Sequence, residues 1–113
     1  MIAICGYIEV PPETRDALVA EIAAYLAETR GRPGCIEYCI SADPAVPGRL
    51  SVLEIFESRA ALEDHLAHGP QAVVSGIIGK YGPTGSSVIK YRIDASAPMI
   101  GPDGQVSLEF PET

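Results

Sequence analysis

The sequence predicts an α+β domain of ferredoxin-like order, β-α-β-β-α-β, with an antiparallel four-stranded sheet and helices on one face. Three observations carry this. Four segments alternate side-chain character with a period of two; the stretches after the first and third of them repeat apolar residues every three or four positions; and Pro and Gly fall at the joints.

Ile2, Ile4, Gly6, Ile8 and Val10 alternate with Ala3, Cys5, Tyr7 and Glu9, which reads as the first strand, stopped by Pro11-Pro12. Pro12 suits the first turn of a helix, where Glu13 and Asp16 place negative charge near the N-terminal dipole. Leu18, Ile22, Tyr25, Leu26 and Thr29 then form one stripe of a helix that runs to about Arg30 and stops at Gly31. The second strand, Cys35 to Ala42, sets Ile36, Tyr38 and Ile40 against Cys35, Glu37, Cys39 and Ser41. A turn-rich loop from Asp43 to Gly48 leads to the third strand, Leu50 to Phe56, with Leu50, Val52, Glu54 and Phe56 on one side; the two strands form a hairpin. Ser58 caps a helix from Arg59 to His68 that Gly69-Pro70 closes, and a further helical stretch, Gln71 to Tyr81, ends at Gly82-Pro83. The fourth strand, Ser86 to Asp94, sets Ile89, Tyr91 and Ile93 against Val88, Lys90 and Arg92.

Residues 1–94 thus make the domain, and residues 95–113 are a C-terminal extension. The turn Pro102-Asp103-Gly104 followed by alternating Val106, Leu108 and Phe110 predicts a short extra strand or arm that contacts the edge of a partner subunit. Neither side of the first two strands is strongly charged, so a second copy is expected to cover the helix-free face.

With 113 residues, 47% of them apolar and 20% charged, the chain builds one globular core. A net charge of −7 disfavours nucleic acid and anionic lipid as partners. No apolar run reaches the ~20 residues of a membrane span, and the first ten residues read as a strand, not a signal peptide. Cys35 and Cys39 are four apart in a strand, about 13 Å, beyond the ~7 Å between Cα atoms that a disulfide allows, so reduced thiols and a cytoplasmic location are expected.

The stretches Gly31-Arg32-Pro33-Gly34-Cys35-Ile36-Glu37-Tyr38, Asp43-Pro44, Leu53-Glu54-Ile55-Phe56-Glu57-Ser58 and Ala61-Leu62-Glu63-Asp64-His65-Leu66 resemble the antibiotic biosynthesis monooxygenase domain family, its quinol monooxygenase branch above all. The resemblance covers about Ile2 to Ile93. It implies a homodimer in which two sheets meet as a dimeric α/β barrel. It also implies a reaction in which a phenolic, quinol or polycyclic aromatic ring is oxygenated by O₂ with no metal, flavin or haem, so no cofactor is expected.

Two residues are the expected catalytic groups. His65 shares a helical stripe with Leu62 and Leu66, which turns a neutral imidazole able to accept a phenolic proton toward the sheet; a core histidine bonded to a carbonyl or to Glu54 is the other reading. Glu54 lies between Val52 and Phe56 on an apolar side and needs a partner: His65, a substrate hydroxyl, or an ion pair with Lys90 or Arg92. Tyr7, Tyr38, Phe56, Tyr81 and Tyr91 are the expected lining of an aromatic-binding cleft, with ordinary core packing as the alternative for each tyrosine. His65 and His68 with Glu63 and Asp64 lack a metal-site motif, and no phosphate-loop or dinucleotide motif occurs. Two further functions stay open: a non-catalytic dimeric domain that binds a small apolar ligand, and haem binding or degradation through His65 or His68.

Overall fold

The computed structural model describes residues 1–111. The elements run β1 (Ile2–Glu9), α1 (Arg15–Arg30), β2 (Cys35–Ala42), β3 (Arg49–Phe56), α2 (Arg59–His68), α3 (Gln71–Lys80) and β4 (Gly85–Arg92), in a sheet ordered β2-β3-β1-β4 with antiparallel neighbours. This is the ferredoxin-like α+β arrangement, with the second helical unit broken in two. The break is at Gly69-Pro70, because Pro70 has no N–H to continue α2. At the other end of α2, Ser58 Oγ accepts the Ala61 N–H at 3.1 Å. Pro11 and Pro12 likewise delay α1, which is preceded by a 3₁₀ turn over Pro12–Thr14.

Register sorts the faces. Ile4 stands opposite Glu54 on one side and Lys90 on the other, Gly6 opposite Val52 and Val88, and Ile2 opposite Phe56 and Arg92, all on the helix side. Ala3, Cys5, Tyr7, Leu53, Ile55, Ile89 and Tyr91 turn the other way, onto an open face where Ile89 and Tyr91 are half exposed. One expectation is corrected here. A bulge between Cys35 and Glu37 sets two residues against one, so Cys35, not Ile36, packs toward the core and Ile36 is 50% exposed.

Leu18 and Ile22 of α1 pack on Tyr38 and Ile40 of β2 and on Leu50 and Val52 of β3, all of them buried. Each such side chain contributes roughly 1.5–3 kcal/mol. The Arg30 Nε–H donates to Tyr38 O at 2.7 Å, which ties the end of α1 to the same strand. Helical cover stops short of the far edge: α1 lies on β2, α2 on β3 and α3 against α1, while every residue of β4 is exposed. At Gly6 the backbone of β4 leaves β1 no room for a side chain. The glycine φ is +150°, and a Cβ there would sit 1.9 Å from Ser87 O.

The extension folds as a small hairpin, with Gly101 N–H bonded to Gln105 O and Ser107 N–H to Met99 O around Gly104. Among the described residues its one bridge joins Ile100 and Val106, and the alternation through Leu108 and Phe110 makes no longer ladder there. Residues 112 and 113 of the predicted extension lie outside the described residues. Cys5, Cys35 and Cys39 are free, and among the described residues no helix is long and apolar enough to cross a membrane.

Candidate active site

Between α3 and the helix side of the sheet lies a cleft of about 290 Å³. Ile8, Val52, Val74, Ile78 and Val88 supply apolar walls, and Tyr38, Glu54, Gln71 and Ser75 supply the side-chain polar groups. Its shape follows from the sequence. Gln71, Ser75, Ile78 and Gly79 recur at helical spacing and so present one stripe of α3 to the sheet. Gly79 contributes no side chain, and a Cβ there would meet nothing within 4 Å. On the floor, Gly6 leaves bare the position between Val52 and Val88.

Glu54 is the carboxyl of this cleft. Its side chain is 12% exposed, and burial pushes its pKa up to about 7. The carboxyl therefore changes charge near neutral pH, the property a general base needs. It makes no ion pair with Lys90 or Arg92, which corrects that expected alternative; the titratable side chain beside it is His65, whose Nε2 lies 3.7 Å from Glu54 Oε1.

His65 does not line the cleft. It is 1% exposed, with its ring 5.0 Å from that of Phe56 and 5.5 Å from that of Tyr38. Burial first, with a smaller contribution from Arg32, holds its pKa below the usual imidazole value despite the opposing hydrogen bond to Gln71. The ring is thus neutral at pH 7. With its proton on Nε2 it donates to Gln71 Oε1 at 3.1 Å, and Gln71 Nε2 in turn donates to Ser75 Oγ at 3.3 Å. Nδ1 is then a buried lone pair with no partner, above Gly69, where a Cβ would come within 3.0 Å of it. Gly69 is the space that this ring occupies.

Of the residues expected from sequence, the structure thus brings Glu54 and Tyr38 to the cleft, with His65 and the fully buried Phe56 directly behind them. Burial beside Glu54 raises the Tyr38 hydroxyl far above ordinary phenol values, so it stays protonated. The other three tyrosines lie elsewhere. Tyr7 is on the open face under the Arg49 guanidinium, 3.8 Å from its ring centre; Tyr81 bonds Glu21 of α1; Tyr91 is on the open edge strand. Sequence reasoning missed Gln71 and Ser75. Their signal was a polar pair at i, i+4 in an otherwise apolar helix. No three His, Cys, Asp or Glu side chains among the described residues gather as a metal-binding group, and a haem iron has no path to the enclosed His65.

The family model for antibiotic biosynthesis monooxygenases matches residues 1–72. An uncharacterized protein of Synechocystis sp. is 30% identical over 64 residues, 57% of this chain and 44% of its own length, so the match spans under half of that curated relative. A Deinococcus radiodurans structure, provisionally named an antibiotic biosynthesis monooxygenase, superposes with a TM-score of 0.77 at 21% identity, over 89% of this chain and all of that one. Rv0793 of Mycobacterium tuberculosis is 25% identical with a TM-score of 0.73, over 86% of this chain and 98% of that one. A conserved protein from Methanosarcina mazei is 20% identical with a TM-score of 0.71, over 80% and 90%.

Proposed function

Because the chain belongs to the antibiotic biosynthesis monooxygenase family, we propose that it is a cofactor-independent monooxygenase that oxidises a phenol or quinol with O₂ and uses Glu54 as its base. The observation that supports this reading is the carboxyl with a pKa of about 7 facing an apolar cleft. A dry cavity of about 150 Å³ holds benzene, so 290 Å³ has room for one ring or two fused rings.

The ring lies among Ile8, Val52, Val74 and Val88 with its hydroxyl toward Glu54. Glu54 takes the hydroxyl proton. The phenolate, poorly solvated and so a better electron donor, passes one electron to O₂, and the superoxide and phenoxyl radical join through a new C–O bond at a ring carbon. Glu54 returns its proton to the peroxide. Loss of water then takes the terminal oxygen, its proton and the ring hydrogen, and leaves the second oxygen on the ring as a carbonyl. His65 has a positioning role: its Nε2–H orients Gln71, whose amide bonds Ser75 at the cleft wall. The partner in this reading is a second copy against the open sheet face, where Leu53, Ile89 and Tyr91 are exposed.

O₂ uptake and product mass with a panel of one- and two-ring quinols test the reading. Wild type is expected to consume O₂ at a rate that rises through about pH 7, and Glu54→Gln to lose roughly 100-fold or more. Undiminished uptake by Glu54→Gln would remove the carboxyl from the mechanism. The seclusion of His65 favours one second reading, a non-catalytic dimeric domain that binds a small apolar ligand. Ring binding with no O₂ uptake by wild type selects it.

A further inference from the structure

This chain has eight Lys and Arg against fifteen Asp and Glu, so cations are scarce and most are engaged. Arg15, Arg32, Arg49, Arg59 and Lys80 each meet a carboxylate, and Arg30 meets a backbone carbonyl. Lys90 and Arg92 have no such partner among the described residues. The two are neighbours on the helix side of β4, two residues apart, where like charges repel. They line a second cleft, of about 460 Å³, together with Ile2, Tyr91 and Arg59. Arg59 reaches Glu63 through a solvated pair on its own helix, a kind of contact worth little.

The helix end beside them has the same sign. The first turn of α2 contains no acidic residue and begins with Arg59, although a helix N-terminus favours negative charge. Three cations and a positive helix end thus meet in one hollow of an acidic protein. The hollow also adjoins the first cleft, because Val88 and Lys90 are successive residues on one face of β4. Lys90 and Glu54 flank Ile4 in the same row of the sheet, their Cα atoms about 10 Å apart at ~4.8 Å per strand.

We propose that Lys90 and Arg92, with Arg59, form a subsite for an oxyanion substituent of the substrate, a carboxylate or phosphate carried about 10 Å from the hydroxyl that Glu54 receives. The proposal rests on the reading of the Glu54 cleft as the place of the reacting hydroxyl. It makes the substrate class a hydroxylated aromatic acid or ester of about two rings. Glu54 takes the neutral, protic end and the cations take the charged end, so the ring enters in one orientation.

Binding measured by titration calorimetry tests this apart from turnover. The probes are 6-hydroxy-2-naphthoate, with the carboxylate at the far end from the hydroxyl; its 3-hydroxy isomer, with the two adjacent; 2-naphthol, with no anion; and inorganic phosphate. Wild type is expected to bind 6-hydroxy-2-naphthoate about tenfold tighter than 2-naphthol, the scale of two exposed ion pairs, and the 3-hydroxy isomer no tighter than 2-naphthol. In the double variant Lys90→Gln/Arg92→Gln, checked for an unchanged circular dichroism spectrum, the preference should vanish while 2-naphthol binds as before. Phosphate should compete with the 6-hydroxy acid and not with 2-naphthol. A preference that survives in the double variant, or that the 3-hydroxy isomer shares, overturns the proposal, as does phosphate competition that is equal for both ligands. A Lys90- and Arg92-dependent preference in a protein that consumes no O₂ keeps the anion subsite and removes the oxygenase reading alone.

Discussion

Replacing Glu54 with Gln should cost the protein its activity and make it more stable at alkaline pH. The carboxyl titrates at about 7 in the fold against 4.5 in an exposed chain, and the cause is burial alone. Between those values the unfolded chain has released a proton that the folded one still holds, so stability falls as pH rises from about 4.5 to about 7 and is level beyond. At about 1.4 kcal/mol per pH unit, that gap is worth about 3 kcal/mol, and with a side chain only 12% exposed little is lost to solvent screening. Gln has nothing to ionise. The stability of Glu54→Gln minus that of wild type should therefore be about 3 kcal/mol larger at pH 8 than at pH 4.5. His65, whose pKa is held low, acts in the opposite sense, since its stability cost appears as pH falls through the imidazole range; it is present in both proteins and leaves the difference. Urea unfolding followed by far-ultraviolet circular dichroism measures this without a Trp, which the chain lacks. A difference that stays constant with pH to within about 0.5 kcal/mol, the scale of extrapolation error, would refute a desolvated carboxyl at this position and with it the base.

Three further substitutions probe the frame around that group. His65→Ala empties a site packed by Phe56 and Tyr38 and should cost roughly 2–4 kcal/mol in urea unfolding; because the ring reaches the cleft only through Gln71, O₂ uptake should fall less than in Glu54→Gln. Gly69→Ala puts a methyl 2.6 Å from His65 O and 3.0 Å from Nδ1, for an expected loss of about 1–3 kcal/mol, and one-dimensional NMR should show the His65 ring proton resonances moved. Gly6→Ala meets both a φ of +150° and a backbone oxygen at 1.9 Å, so β4 should detach from β1; wild-type hydrogen-exchange protection of the paired Cys5 and Ile89 amides in the variant would contradict this.

The order of elements along the chain, the hairpin and both ends of α2 were legible because each rests on local chemistry: alternation, a serine cap, a Gly-Pro stop. The bulge at Ile36 was not, since a bulge adds a residue without changing composition, and the apolar alternation of Ile36, Tyr38 and Ile40 favours an unbroken strand. Tyr7, Tyr81 and Tyr91 lie away from the Glu54 cleft for a different reason. A period of two says which residues share a face but not which face the helices cover, and odd-numbered Tyr7 and Tyr91 fall on the open one. Tyr81 ends α3 at the right place in sequence but is held by Glu21, a partner 60 residues away.

His65 and Glu54 show how far an apolar stripe can be read. A polar residue at the centre of such a stripe is carried to the middle of the interior, where the packing that buries it also closes it off, as Phe56 and Tyr38 close off His65. A polar residue on a strand fares differently where the helices above do not meet the sheet closely. Glu54 is under the gap that α3 leaves by packing on α1 instead of on β4, and Gly79 and Gly6 widen that gap from above and below. The same incomplete cover exposes Lys90 and Arg92 on the helix side of the sheet. The break at Gly69-Pro70 thus has a consequence for the cleft: α2 follows β3 and walls in the imidazole, while α3 turns away and leaves the carboxyl and the two cations along one strip that runs from β3 across β1 to β4.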